Sequence, residues 1–293
     1  MKLSLCIATY NEEKNIHYAL DSSYDLADEV IVVDGGSTDD TVKIAKSYGK
    51  KVRIINSDNP SMFHINKQKA IEAARGEWIL QLDADEELSD ELKEEIKKVV
   101  DIGSSFHPTV LGKQREAGKI ASVQSGPANS RHSSQDQVPN AYWIPRRNWF
   151  LTKFLMKGGQ YPDYTIRLYR NGVAKFPCKD VHENVEINGE VGYLKSPLNH
   201  YADPDFSRYL MRWDRYTTLE VQSLKFKVKN ENKNSFLMFL EYFFWKPFIT
   251  FFGMYFRHKG FMDGFPGFVF ALFSSIRFWV IYIKWVMRRR NSN

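Results

Sequence analysis

Four acids occupy five positions at Asp83-Ala84-Asp85-Glu86-Glu87, directly after the apolar run Trp78-Ile79-Leu80-Gln81-Leu82. Carboxylates held that close repel one another, and a bound divalent cation relieves the repulsion. Hard oxygen ligands suit Mg²⁺ or Mn²⁺, above all where phosphate oxygens share the ion. Asp83 and Asp85 are therefore candidates for a metal-nucleotide site. A competing reading places the acids at the N-terminus of a helix opened by Ser89 and Asp90. It accounts for Glu86 and Glu87 but leaves Asp83 and Asp85 outside the helix.

Such a site needs a scaffold. An apolar run without alternation is the pattern of a strand covered on both faces. In an open parallel sheet, ligands bind outside the strand C-termini. Three further runs fit the same scheme: Leu3 to Thr9, Glu29 to Val33 and Val52 to Ile55. Thr9-Tyr10-Asn11-Glu12-Glu13 turns into a helix ending near Ser23, and Ile65 to Ala74 reads as another helix. Ser37 with Asp40 resembles a capping box that opens a helix to about Ser47. Strands alternating with helices at this spacing predict parallel, right-handed βαβ units. The Gly-x-Gly-x-x-Gly fingerprint is missing after the first strand, which argues against nicotinamide and flavin enzymes.

Beyond Gly103 the composition turns to Ser, Gln, Asn and Gly without apolar periodicity, and residues 103–139 are expected to form a loop or lid. Order is expected again from Ala141-Tyr142-Trp143-Ile144-Pro145, followed by a strand from Tyr164 to Tyr169 and an Asn171-Gly172 turn. Phe206 to Lys227 reads as a helix with exposed charge.

Three segments together resemble glycosyltransferase family 2: Ile7-Ala8-Thr9-Tyr10-Asn11-Glu12, Val32-Val33-Asp34-Gly35-Gly36-Ser37-Thr38-Asp39 and Leu82-Asp83-Ala84-Asp85-Glu86. A looser likeness runs through Pro162 to Arg170 and Val181-His182-Glu183, toward the branch that adds sugars to the inner core of lipopolysaccharide. The chain departs from the family's commoner spelling at Gly35, where a second aspartate is frequent. The resemblance implies an α/β GT-A fold, a Rossmann-like mixed sheet of the nucleotide-diphospho-sugar transferases, and an inverting, metal-dependent sugar transfer. It assigns donor binding to Thr9, Tyr10, Asn11, Glu12, Asp34, Lys67 and Asp83. Tyr10 would stack on the base, Asp34 would bind base or ribose, Lys67 would reach the diphosphate and Asp83 would hold the ribose. Asp85, with Asp83 and His200, would bind Mn²⁺ or Mg²⁺. Glu183 is the first candidate for the general base and Asp163 the second. Arg167 and Arg170 are candidates for phosphate binding, or for plain solvent-facing positions.

The chain of 293 residues carries +6 overall, yet the segment from Lys225 onward holds twelve Lys and Arg against three acids. A slightly acidic body with a basic, aromatic end points to an anionic surface rather than to nucleic acid. Between Gly264 and Ile276 there is no charge, and Ser274, Arg277, Lys284 and Arg288 form one polar stripe on an otherwise apolar helix. That pattern predicts a helical region lying in a membrane interface, since spanning from Phe265 to Met287 would place Arg277 near the middle at about 2.5–3.5 kcal/mol. Cys6 and Cys178 provide no disulfide framework, and no apolar leader precedes Asn11-Glu12-Glu13-Lys14, so a reducing compartment without a secretory signal is expected.

The organisation expected is a nucleotide-sugar-binding half (1–102), a loop (103–139), an acceptor-binding and catalytic half (140–203) and a helical, membrane-associated region (204–293). The function expected is transfer from a UDP-sugar or other NDP-sugar to a lipopolysaccharide core or other glycolipid, at the cytoplasmic face of the membrane, with an oligomer possible. Transfer onto polyprenyl phosphate, which needs no hydroxyl base, and a non-catalytic carbohydrate-binding protein are the alternatives.

Overall fold

The computed structural model describes residues 1–60, 62–105, 138–178, 185–203, 205–230 and 235–290. The first elements are β1 (Leu3–Thr9), α1 (Ile16–Ser23), β2 (Glu29–Asp34), α2 (Thr41–Ser47), β3 (Val52–Asn56), α3 (His64–Glu72) and β4 (Trp78–Asp83). After them come β5 (Glu86–Leu88), α4 (Asp90–Ser105), β6 (Ala141–Phe150), β7 (Lys153–Phe154) and β8 (Asp163–Arg170). Short strands β9 (Ala174–Lys175), β10 (Glu186–Ile187) and β11 (Val191–Tyr193) lead to β12 (Leu198–Asp203). The helices α5 (Phe206–Asn230), α6 (Ser235–Leu240), α7 (Lys246–Phe252) and α8 (Gly264–Arg290) follow. Two compact units emerge, Met1–Arg146 with Tyr164–His200, and Arg147–Asp163 with Tyr201–Asn293.

In the first unit β1 pairs in parallel with both β2 and β4, and β2 with β3. Every residue of β2 is buried, as are all of β1 and β4 except Ala8 and Asp83, so these strands read as continuous apolar runs. Leu5, Ile7, Leu80 and Leu82 enter one apolar cluster with α1 and α4, while Cys6, Ile31, Val33 and Ile79 enter another with α3. Full burial of each such Leu or Ile contributes about 1.5–3 kcal/mol.

Beyond β4 the succession of parallel βαβ units ends, although the short β11 still pairs in parallel with β6. The sheet order is β3-β2-β1-β4-β8-β6-β12-β5, with β8 antiparallel to β4 and β5 antiparallel to β12. The sheet is therefore mixed, with the parallel βαβ pattern confined to its first part. Glu86 and Glu87 lie in β5, not at a helix N-terminus, because β5 pairs with Leu198–His200. The helix starts later, where Ser89 Oγ accepts from the Leu92 amide at 3.2 Å and caps α4. That helix runs on through Ser105 and takes the first residues of the expected loop; residues 106–137 lie outside the described part of the chain.

The second unit is mainly helical. Residues Ser235 to Arg257 are helical throughout, with π-turns at Glu241–Trp245 and Gly253–Arg257 on either side of α7. Pro247, at the start of α7, supplies no amide donor to the preceding turn, which fits the shifted hydrogen bonding there. A bend at His258–Asp263 returns the chain into α8. A Cβ on Gly267 would lie 2.1 Å from the Gly260 carbonyl oxygen, so only glycine lets the bend close on α8. Val221 of α5, Met238, Tyr242, Phe278, Ile281 and Trp285 form the core between these helices.

Many rings stay outside that core. Phe244, Trp245, Phe248, Phe252, Phe256 and Phe265 are all exposed. Among the described residues one helix, Gly260–Arg289, is long and apolar enough to cross a membrane, with a mean hydropathy of 1.6. The polar stripe expected on α8 does not face outward as a whole. Lys284 Nζ turns to α5 instead, 2.5 Å from Asp214 Oδ1 and 2.8 Å from Thr217 Oγ1, where an ammonium finds an anion and hydroxyl acceptors.

Candidate active site

Because β1, β2 and β4 are parallel and in register, Thr9 stands beside Asp34 and Ala8 beside Asp83. Their C-terminal ends bring three loops to one edge of the sheet.

Backbone and side-chain hydrogen bonds join the loops after β1 and β2. Asn11 adopts φ 54°, a left-handed conformation that asparagine tolerates. Its Oδ1 accepts from the Thr38 amide at 2.8 Å, and its own amide donates to Ser37 Oγ at 2.9 Å. The Glu12 amide donates to Thr41 Oγ1 at 2.7 Å, and Glu12 Oε2 accepts from Asn15 Nδ2 at 2.6 Å. Tyr10, between them in the chain, is 45% exposed.

Asp34 is buried and accepts four hydrogen bonds: from the Gly36 and Ser37 amides at 3.1 and 2.9 Å, Ser37 Oγ at 2.5 Å and Thr9 Oγ1 at 3.2 Å. Ser37, expected to cap α2, serves Asp34 because a buried carboxylate requires donors. Asp39 takes over at the helix start, accepting from the Thr41 amide at 3.1 Å. A Cβ at Gly35 would lie 3.3 Å from the Thr9 carbonyl oxygen and 3.4 Å from Asn66 Nδ2, a crowded space that suits glycine better than aspartate.

Asp83 is held by cations on both oxygens. Lys67 Nζ lies 2.5 Å from Oδ1, and Arg167 Nη2 donates to Oδ2 at 2.6 Å. Arg167 also donates through Nε to Glu86 Oε2 at 2.8 Å, through Nη2 to Glu86 Oε1 at 2.8 Å and through Nη1 to Gln81 Oε1 at 3.1 Å. Arg146 Nη1 adds a contact to Glu86 Oε1 at 3.2 Å. Burial would raise the Asp83 carboxyl, but Arg167 and Lys67 outweigh it and hold it well below the usual carboxylate range. Burial is the largest influence on Lys67 and lowers it, against the pull of Asp83.

The geometry gives several of these side chains partners that the sequence did not suggest. Lys67 sits in the first turns of α3 with its ammonium on Asp83, where the sequence suggested the diphosphate. Arg167 is fully engaged inside the sheet, and Arg170 stacks 4.7 Å over Trp78 while donating to the Gly103 carbonyl at 3.1 Å. Neither faces solvent as a phosphate hook. Asp83, expected to share the metal, has both oxygens on cations already, which makes it a poor ligand for a further cation.

Asp85 and His200 form a separate pair. β5 and β12 place His200 opposite Glu86, and its Nε2 lies 3.6 Å from Asp85 Oδ1. Among the described residues no three or more His, Cys, Asp or Glu side chains gather as a metal cluster. An oxygen and a nitrogen donor from Asp85 and His200 nonetheless fit a divalent ion. Asp163 begins β8 and accepts from Asn148 Nδ2 at 3.2 Å. Glu183 and His182 lie outside the described residues.

Gln81 and Arg146 were not singled out by sequence, and Glu86 was read only as a helix-terminal acid. Two signals were present: Gln81 is a polar residue inside the apolar run Trp78 to Leu82, and Arg167 lies between Ile166 and Leu168. A polar group buried by its neighbours must find a partner, and these two find each other.

A family profile described as Glycosyl transferase family 2 matches residues 4–165. An uncharacterised glycosyltransferase of Rickettsia typhi is 30% identical over 289 residues, covering 94% of this chain and 84% of its own. The SPbeta prophage-derived glycosyltransferase SunS of Bacillus subtilis is 42% identical over 100 residues, 34% of this chain and 24% of SunS. Among solved structures, S. aureus TarS 1–349 in complex with UDP is similar at 17% identity and a TM-score of 0.43, covering 74% of this chain and 65% of that one.

Proposed function

The chain belongs to glycosyltransferase family 2 and has the GT-A fold, and from that premise we propose that it transfers a sugar, with inversion, from a UDP-sugar to a hydroxyl of a lipopolysaccharide core or similar glycolipid. The observation that carries this reading is the juxtaposition, at one edge of the sheet, of exposed Tyr10, cation-held Asp83 and the Asp85–His200 pair. Tyr10 offers a ring face to a base. Asp83 accepts from a ribose hydroxyl. Asp85 and His200 would hold Mn²⁺ or Mg²⁺, and the ion would supply charge neutralisation for the leaving diphosphate.

The acceptor oxygen attacks the anomeric carbon as the bond to the diphosphate oxygen breaks on the opposite face. Glu183 takes the hydroxyl proton, with Asp163 as the second choice for that role. Glu183→Gln should lower turnover by about 10²–10⁴ with little change in donor affinity. Near-normal turnover would move the role to Asp163.

The second unit gives the acceptor its place. The exposed rings of Ser235–Arg290 enter the headgroup layer of the cytoplasmic membrane face, with the exposed cations Arg257 and Lys259 beside Phe256 at the bend. Vesicle flotation should show stronger binding to anionic than to neutral lipid, only partly released by salt.

The donor is tested by a thermal-shift panel of nucleotide sugars with and without Mn²⁺. A selective donor at a hundredfold excess over its Kd stabilises by about 2.7 kcal/mol. Equal response to every nucleotide sugar, or to none, would count against the assignment.

A further inference from the structure

The network around Asp83 has one open end. Glu86 is 0% exposed and the Arg167 side chain 8%, whereas the Asp83 side chain keeps 26% of its surface accessible. Anything that binds at the sheet edge can reach Asp83 and not the groups behind it. Those groups fix Asp83 twice. Glu86 Oε2 accepts from the Asp83 amide at 3.0 Å, and the same carboxylate, through Arg167, sets the angle of the Asp83 side chain. Lys67 holds the remaining carboxylate oxygen. A guanidinium offers its donors in a rigid fork, so an oxygen bound to it has its remaining lone pair aimed in one direction.

We propose that Arg167 and Glu86 are positioning residues that make Asp83 a reader of the ribose, so that selection of a ribonucleotide donor depends on a buried pair that never touches the ligand. The proposal rests on the assignment of the donor site above. It divides the acids of the Asp83–Glu86 segment by task. Asp83, saturated with cations, is left to accept from a hydroxyl group. Asp85, with His200, is left for the metal ion. Glu86 orients and binds nothing.

Titration calorimetry with UDP, 2′-deoxy-UDP and 3′-deoxy-UDP in the presence of Mn²⁺ tests this. The wild-type protein should bind UDP about tenfold or more tighter than at least one deoxy analogue, the scale of a hydrogen bond to a charged group. Arg167→Lys keeps the charge but loses the fork, and its preference for UDP should shrink to within about twofold while the deoxy analogue binds nearly as before. A paired Glu86→Leu, Arg167→Met variant removes the network without stranding a buried charge, and should lose the preference in the same way. A merely structural role would weaken all three ligands together and leave their ratio unchanged. Retention of the wild-type ratio in both variants overturns the proposal. Equal binding of all three ligands by the wild-type protein also overturns it while leaving a nucleotide site in place. Failure of the wild-type protein to bind UDP at all removes the donor assignment itself.

Discussion

The two units depart from the ordinary partition of side chains in opposite directions. In the sheet unit, charge is buried: Glu86, Arg167 and Lys67 lie inside, next to fully apolar strands. In the helical unit, apolar surface is exposed: Trp245, Phe248, Phe252 and Phe265 face outward from helices that have a core of their own. Buried ions cost several kcal/mol each unless partners stand ready, and here every one has them. The exposed rings touch one another, Phe248 against Phe252 and Phe252 against Phe256, yet keep much of their surface open, and exposed apolar surface of this kind marks an interaction site. The first departure is compensated inside the protein, whereas the second awaits something outside it.

The sharpest way to break this comparison is to strand a charge. Arg167→Met alone leaves Glu86 buried beside Asp83 without its main partner, and urea unfolding should show a loss of about 3–5 kcal/mol. A loss below about 1 kcal/mol would mean that water reaches Glu86 in the variant and replaces its partner. The matching change in the helices is Phe248→Ser with Phe252→Ser. Folding stability should move by no more than about 1 kcal/mol, because both rings are already exposed. Vesicle partitioning should fall by about two orders of magnitude or more, since each inserted ring contributes roughly 1.5–3 kcal/mol. If partitioning holds and the sedimentation coefficient drops instead, the rings meet a second copy of the chain.

The smallest effect is reserved for Lys284→Met. Its ammonium lies against Asp214, Thr217 and Thr218 of α5, so the variant should lose at most about 1 kcal/mol of stability and bind anionic vesicles as the wild type does. A weakened, salt-sensitive interaction with anionic lipid would return Lys284 to the outward stripe that the sequence suggested.

What could be read locally followed from local physics. β1, β2 and β4 are buried on both faces, so Leu3 to Thr9, Glu29 to Val33 and Trp78 to Leu82 announced themselves within a residue or so. The elements that were missed depend on distant partners. β5 is three residues long and exists because Leu198–His200 pairs with it. Ser37 has the spacing of a cap, yet Asp34 claims it once both loops are in place. Glu86 looked like a helix-terminal acid because its cation, Arg167, lies 81 positions further along. Lys284 looked like part of a surface stripe because Asp214 is 70 positions away. Periodicity describes the neighbourhood of a residue along one element, and none of these partners lies in that neighbourhood.

Arg167 also bears on how the chain finds its pairing. Leu80 and Leu168 are partners in the antiparallel pair of β4 and β8, and one step further on Gln81 meets Arg167. A slip of β8 by one residue would present Ile166 or Leu168 to Gln81 and Asp83, and drive the guanidinium toward the apolar layer on the other side. Leucine and isoleucine tolerate such exchange poorly discriminated by hydrophobicity alone, but a cation does not. The ion network thus acts as an alignment key: a misthreaded strand finds no acid to meet its charge, and only one threading of β8 lets the sheet close.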